Sequence, residues 1–212
     1  MLVSDVMTTN VISVTPDISI NEALRLLKEN GIRRLPVTDG HGNVMGIVTE
    51  KDLKSAAPSK ATTLDIWEIH QLLDKIKVEE VMTREVITIK EDTPLEEAAR
   101  IMAEKKIGAL PVLNEDGKLS GIITESDIFR TFVKMLGANR EGVRYTFSSP
   151  DKPGVISELA MRIKEAGGNI IAISSFPRRD EYLIVIKVGG IDHEKFLESL
   201  KDCSAKLLYF HR

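Results

Sequence analysis

Gly46-Ile47-Val48-Thr49-Glu50-Lys51-Asp52 returns as Gly121-Ile122-Ile123-Thr124-Glu125-Ser126-Asp127, 75 residues further along a chain of 212. The same offset links Val6-Met7-Thr8 to Val81-Met82-Thr83, and Leu35-Pro36-Val37 to Leu110-Pro111-Val112. Three separated blocks at one constant offset imply a duplication without insertions, and an internal repeat constrains the fold before any single element does.

Each copy reads β-α-β-β-α. In the first, Val11-Ile12-Ser13-Val14 has the β-branched character of a short strand. Ser19 to Glu22 has capping-box spacing, and Ala23, Leu24, Leu26 and Leu27 follow at helical intervals up to Gly31. Leu35-Pro36-Val37 and Val44 to Val48 form a hairpin around Asp39-Gly40-His41-Gly42-Asn43, and Thr49 caps a helix through Leu53. The second copy repeats this, with Thr93-Pro94-Leu95-Glu96 predicting a capping box that has proline at the first helical position. Between the copies, Thr63 to Lys77 predicts an amphipathic helix striped by Ile66, Ile69, Leu73 and Ile76 and widened by Trp67 and Leu72.

From Arg140 onward the repeat stops. Arg144 to Phe147, Asn169 to Ile173, Tyr182 to Ile186 and Lys206 to Phe210 read as strands. Val155 to Ile163 and His193 to Leu200 read as helices, so the order is βαββαβ, the ferredoxin-like arrangement. The resulting division is 1–57 for the first copy, 58–77 for the connection, 78–136 for the second copy and 140–212 for the last domain.

Composition narrows the chemistry. Hydrophobic residues at 42% and charged residues at 29% are a globular balance, and no apolar run approaches the ~18 residues of a membrane span. A net charge of −3 makes no case for nucleic acid. The N-terminus has no secretory pattern, and the single cysteine, Cys203, excludes an internal disulfide framework; a cytoplasmic location is expected. His41, His70, His193 and His211 are scattered without metal-ligand spacing, no metal site is expected, and there is no Walker-type or G-x-G-x-x-G loop. No catalytic residue and no required cofactor are expected, although a hydrolase or transferase acting on a nucleotide stays open as a competing class.

The duplicated block is G-x-x-T-x-x-D. Gly46 and Gly121 would let backbone approach a ligand closely. Thr49 and Thr124 stand at helix starts, where amide donors favour an anion, and Asp52 and Asp127 lie one turn on, placed to accept from ribose hydroxyls. The competing local reading is a threonine N-cap followed by an acidic residue that suits the helix dipole.

With these motifs, residues 1 to about 136 resemble a tandem pair of CBS domains, a Bateman module. The resemblance implies two clefts that hold AMP, ADP, ATP or S-adenosyl compounds. It implies ribose binding at Asp52 and Asp127, phosphate contact at Thr49 and Thr124, and an adenine border at Val11, Ile12 and Pro36 with Val86, Ile87 and Pro111. Arg33 matches a position that supplies positive charge to phosphate; 75 residues on stand Gly108 and Ala109 in place of Arg33 and Arg34. The site of Thr49 and Asp52 is therefore expected to hold both arginines and to bind phosphate more strongly than the site of Thr124 and Asp127.

The last segment resembles an ACT domain through Asp151-Lys152-Pro153-Gly154 and Gly168-Asn169-Ile170. That resemblance implies pairing between copies and an amino-acid site near Asp151, Gly154 and Asn169. The whole order looks like the acetoin-utilization regulatory protein family, which implies metabolic regulation. The expectation is a homodimeric sensor of adenine nucleotides acting on a regulated protein, with no nucleic-acid or membrane partner; a ligand-independent dimerisation scaffold, or an S-adenosyl ligand, is the alternative.

Overall fold

The computed structural model describes residues 1–56 and 73–212, so most of the expected connecting helix, including Ile66, Trp67, Ile69 and Leu72, lies outside the described residues. The chain divides into two compact units, Met1–Ile128 and Phe129–Arg212. The boundary falls inside a helix, Glu125–Met135, a few residues before the linker suggested by Gly137-Ala138-Asn139.

In the first unit, helix α1 (Ile20–Asn30) precedes the antiparallel hairpin β1 (Arg34–Thr38) and β2 (Val44–Thr49), then helix α2 (Glu50–Ser55). The second copy supplies β3 (Ile89–Lys90), α3 (Leu95–Lys105), β4 (Ala109–Leu113), β5 (Leu119–Thr124) and α4 (Glu125–Met135). Ser19 caps α1 by accepting from the Glu22 N–H at 3.2 Å, and Gly31 closes it in the left-handed region at φ 62°. Ile20, Ala23 and Leu27 face a core shared with Leu35, Val37, Val48 and Leu53. Ala98, Met102, Leu110, Val112 and Ile123 build the counterpart core.

Two expectations change. Of Val11 to Val14 only Val14 pairs, through a single parallel bridge to Val37, because the chain just before it crosses to the other copy. The Thr93 capping box does not form: Pro94 is itself the cap residue, with extended ψ, and Thr93 Oγ1 accepts from Lys90 N–H instead. A bridge from Leu2 to Pro94 holds that turn.

The crossing is reciprocal. Thr8 exchanges both backbone hydrogen bonds with Ile122 in β5, and Thr83 exchanges both with Ile47 in β2. The Val3 N–H donates to Thr93 O and the Val78 N–H to Ile18 O, again 75 residues apart on both sides. Each copy thus completes the other copy's sheet, so that neither is finished alone.

In the second unit, β6 (Val143–Ser149), α5 (Val155–Glu165), β7 (Asn169–Arg178), β8 (Glu181–Gly189), α6 (His193–Ser199) and β9 (Lys206–His211) form an antiparallel sheet in the order β7-β8-β6-β9. This is the expected ferredoxin-like topology. Tyr145, Phe147, Ile184, Ile186 and Val188 pack with Leu159, Ile163 and Phe196 from the helices. The Tyr145 hydroxyl lies 2.7 Å from His193 Nδ1, which ties the central strand to α6. Cys203 is half-buried against this core, and burial pushes its thiol up, as suits a packing residue better than a nucleophile.

Glu158 joins α5 to the segment after α6. Its carboxylate accepts from Ser204 and from Arg162 Nη2 at 2.7 Å, and Arg162 also reaches the carbonyls of Ser199 and Asp202. Ser204 first, then Arg162, hold the Glu158 carboxyl down at about 2. A depressed carboxylate adds stability above its unfolded value and loses it as pH falls toward its folded one. The second unit is therefore expected to lose stability between pH 4.5 and about 2, and Glu158→Gln should flatten that part of the profile in urea unfolding measured against pH.

Candidate functional site

Thr49 and Asp52 are built by the strand-to-helix corner of the first copy. The Asp52 carboxylate accepts from the Thr49 N–H at 2.9 Å and from its hydroxyl at 2.7 Å, both on Oδ2, while Thr49 Oγ1 accepts from the Asp52 N–H at 3.2 Å. Thr124 and Asp127 repeat the first two bonds at 2.9 and 2.7 Å. The local capping reading is therefore correct as far as it goes. It also assigns the atoms: Thr49 has already given its hydroxyl proton to Asp52, so it has none left for a phosphate. Asp52 Oδ1 accepts no hydrogen bond among the described residues and remains available to a ligand's hydroxyl groups.

The amide argument weakens as well. Helix α2 has six residues, its Glu50 N–H donates to Arg33 O and its Asp52 N–H is taken by Thr49. With two of these donors taken, most of the positive charge for an anion falls to side chains.

Those side chains line a cleft of about 320 Å³ with Thr49 and Asp52. Arg34 comes from the same copy; Val86, Ile87, Lys106, Gly108 and Ala109 come from the other. The grouping expected from sequence is corrected here. Gly108 and Ala109 line the cleft of Thr49 and Asp52, although Ala109 pairs with Thr124 along β4 and β5 and Gly108 O accepts from the Glu125 N–H. Arg34 lines this cleft and Arg33 does not. By the internal repeat, Val11, Ile12 and Arg33 are the counterparts of Val86, Ile87 and Gly108. Pro36 and Pro111 are buried within β1 and β4 and do not line the cleft.

The glycines of the repeated block are also reassigned. A Cβ on Gly46 would lie 2.5 Å from Met82 Sδ and 3.0 Å from Thr83 O, and one on Gly121 would strike Met7 Sδ. Gly46 and Gly121 make room for the other copy's methionine rather than for a ligand.

Lys106 was not singled out from sequence. It is the counterpart of Gly31, yet it holds φ 55° without glycine's freedom, and its side chain lines the cleft. A left-handed lysine is costly, and such strain gathers at functional positions. Lys106→Gly is expected to raise stability by about 1 kcal/mol. Thermal melting by circular dichroism checks this. Arg34 stands over Gly108: a Cβ there would strike Nη2 of Arg34 and lie 2.9 Å from Oε2 of Glu125. Burial, then neighbouring Arg33, pull the Arg34 guanidinium down, and Glu125 opposes them.

Asp151, Gly154 and Asn169 do not converge within one chain. Asp151 and Gly154 precede α5 and Asn169 follows it, so they stand at opposite ends of an 11-residue helix, about 16 Å long. Among the described residues no group of three or more His, Cys, Asp or Glu is placed to hold a metal ion, and no helix is long and apolar enough to cross a membrane.

The CBS domain family matches residues 3–59 and 78–134, and the ACT domain family matches residues 146–205. A CBS domain-containing protein of Dictyostelium discoideum is 35% identical over 136 residues, 64% of this chain and 94% of that protein. A homoserine O-acetyltransferase of Methanosalsum zhilinae is 37% identical over 138 residues, 65% of this chain and 24% of the enzyme. The chain therefore corresponds to a minor part of that enzyme. Among solved structures, the CBS domain pair of protein MJ0100 in complex with 5′-methylthioadenosine and S-adenosyl-L-methionine is 34% identical. That match has a TM-score of 0.52 and covers 62% of this chain and 99% of that one. CBSX2 in complex with AMP is 36% identical, with a TM-score of 0.51, covering 62% of this chain and 96% of the other.

Proposed function

The chain belongs to the CBS domain family and carries a C-terminal ACT domain, and from that premise we propose that it is a regulatory protein whose CBS clefts bind an adenine nucleotide. The observation that carries this is the cleft itself, which brings Asp52, two cations and the apolar Val86 and Ile87 together in about 320 Å³, within the range of small-molecule sites. Asp52 Oδ1 suits ribose hydroxyls, Val86 and Ile87 suit a base, and Arg34 and Lys106 suit a phosphate. The solved relatives with AMP, S-adenosyl-L-methionine and 5′-methylthioadenosine support an adenosyl ligand.

Binding regulates only when it favours one of two states. The regulated protein is proposed to be a metabolic partner in the cytoplasm. A second copy of the chain is proposed as partner, because Asp151 and Gly154 can meet Asn169 only between two copies, where an amino acid would bind. Calorimetry with adenosine, AMP, ADP, ATP, S-adenosyl-L-methionine and 5′-methylthioadenosine tests the ligand reading. Binding of at least one supports it, and silence across the set leaves the scaffold. Recovery of the bound nucleotide unchanged distinguishes a sensor from a hydrolase.

A further inference from the structure

Arg34 belongs to the first copy and Glu125 to the second, yet both reach the empty side-chain position of Gly108, where a Cβ would strike Arg34 Nη2 and lie 2.9 Å from Glu125 Oε2. The repeat supplies an internal control. The counterparts of Arg34, Gly108 and Glu125 are Ala109, Arg33 and Glu50, and Glu50 pairs with Lys54 on its own helix at 2.5 Å. Two differences, Arg34 for Ala109 and Gly108 for Arg33, thus bring opposite charges close together beside one cleft and not at the equivalent positions of the other.

That pair alters what the cleft can hold. Arg34 and Lys106 line it together with Asp52 and Glu85, and Glu125 stands against Arg34. Two cations therefore face three carboxylates. A guanidinium has five N–H donors, so it can keep a carboxylate on one edge and accept a single anionic group on another. With Glu125 drawing on one edge of Arg34, a further phosphate finds no second donor edge there and no further cation, while Glu85 in the cleft wall repels it.

We propose that Glu125 sets the charge of the ligand tail that this cleft accepts, admitting an adenosyl compound with one anionic group and disfavouring a polyphosphate. This rests on the adenosyl binding proposed above. Glu125 is a specificity-determining residue that acts through Arg34, so removing its charge should relax the discrimination only while Arg34 is present.

The test is a double-mutant cycle on the full chain, titrated with AMP and with ATP without divalent cations. Wild type, Glu125→Gln, Arg34→Ala and the double variant are compared, each shown to be folded by circular dichroism. Glu125→Gln is expected to shift the ATP-to-AMP affinity ratio about tenfold toward ATP, and to leave that ratio unchanged in the Arg34→Ala background. Because Glu125 follows Thr124 of the other cleft, an equal shift in both backgrounds overturns the proposal by placing the effect there. An unchanged ratio in folded, AMP-binding Glu125→Gln overturns it while leaving adenosyl binding intact. Wild-type silence toward both nucleotides and toward S-adenosyl-L-methionine overturns the underlying reading, and this one with it.

Discussion

Gly46→Val is expected to destabilise the first unit by about 3 kcal/mol, at the upper end of ordinary overpacking. A Cβ at this position already lies 2.5 Å from Met82 Sδ and 3.0 Å from Thr83 O. The methionine could swing aside, but the carbonyl could not, because it accepts the Ile47 N–H at 3.0 Å in the bridge that joins the two copies. Valine adds two methyl groups to that conflict. Met82 is nearly buried in the first core, so moving it also disturbs Leu53 and Val48. The effect reaches the cleft, since Thr83, Glu85, Val86 and Ile87 follow directly and line it. Thermal melting by circular dichroism should show a fall of roughly 10 °C, and nucleotide titration should show weaker binding. Shortening the opposing side chain in Gly46→Val, Met82→Ala should recover part of the loss, giving a favourable coupling between two substitutions that are each harmful alone. A melting temperature within about 2 °C of wild type would exclude the close packing described.

That steric lock explains what the sequence disclosed and what it concealed. The repeat was visible because three blocks share an offset, and the hairpins because glycine and asparagine mark their turns. The glycine of G-x-x-T-x-x-D was also visible, but its reason was not. A small residue next to a suspected site suits a close ligand and a close methionine equally well, and only the crossing of Met7 and Met82 between copies decides for the second. The same crossing hid the composition of the cleft. A constant offset states which residues are equivalent, not which are adjacent. Arg34 pairs with Thr49 and stays in its cleft, whereas Gly108 and Ala109, which the offset assigns to the other copy's site, line that cleft too.

The ferredoxin-like domain was more legible, because its contacts are between elements that the hydrophobic pattern marks directly. Its β7 runs to Arg178, well past the expected Ile173, since Ser174, Ser175 and Pro177 lack strand character. Pairing with β8, from Phe176 opposite Leu183 to Arg178 opposite Glu181, overrides their propensity. Lys106 escaped notice for a related reason. Only comparison with Gly31 shows that its position asks for positive φ, and a lysine after a helix otherwise reads as a favourable charge at the C-terminal end.

Asp52→Ala should weaken nucleotide binding in this cleft by about a hundredfold, as the loss of a carboxylate proposed to accept two ribose hydroxyl groups implies. The substitution has two parts that can be separated. One is structural: the capping box is lost, because Oδ2 no longer accepts from the Thr49 N–H and hydroxyl, at about 1 kcal/mol of stability. The other is functional, through Oδ1, which has no partner among the described residues and so nothing to lose except a ligand. Asp52→Asn distinguishes them. Its carbonyl oxygen can still accept the cap, but its amide presents donors where the carboxylate presented an acceptor. Its stability should stay near wild type while binding falls nearly as far as in the alanine variant. Adenosine provides the last control: it has the ribose and no phosphate, so Asp52→Asn should weaken adenosine and AMP by the same factor, whereas Lys106→Gly should affect AMP selectively. Equal calorimetric affinity of Asp52→Asn and wild type for adenosine would leave Asp52 a helix cap and nothing more.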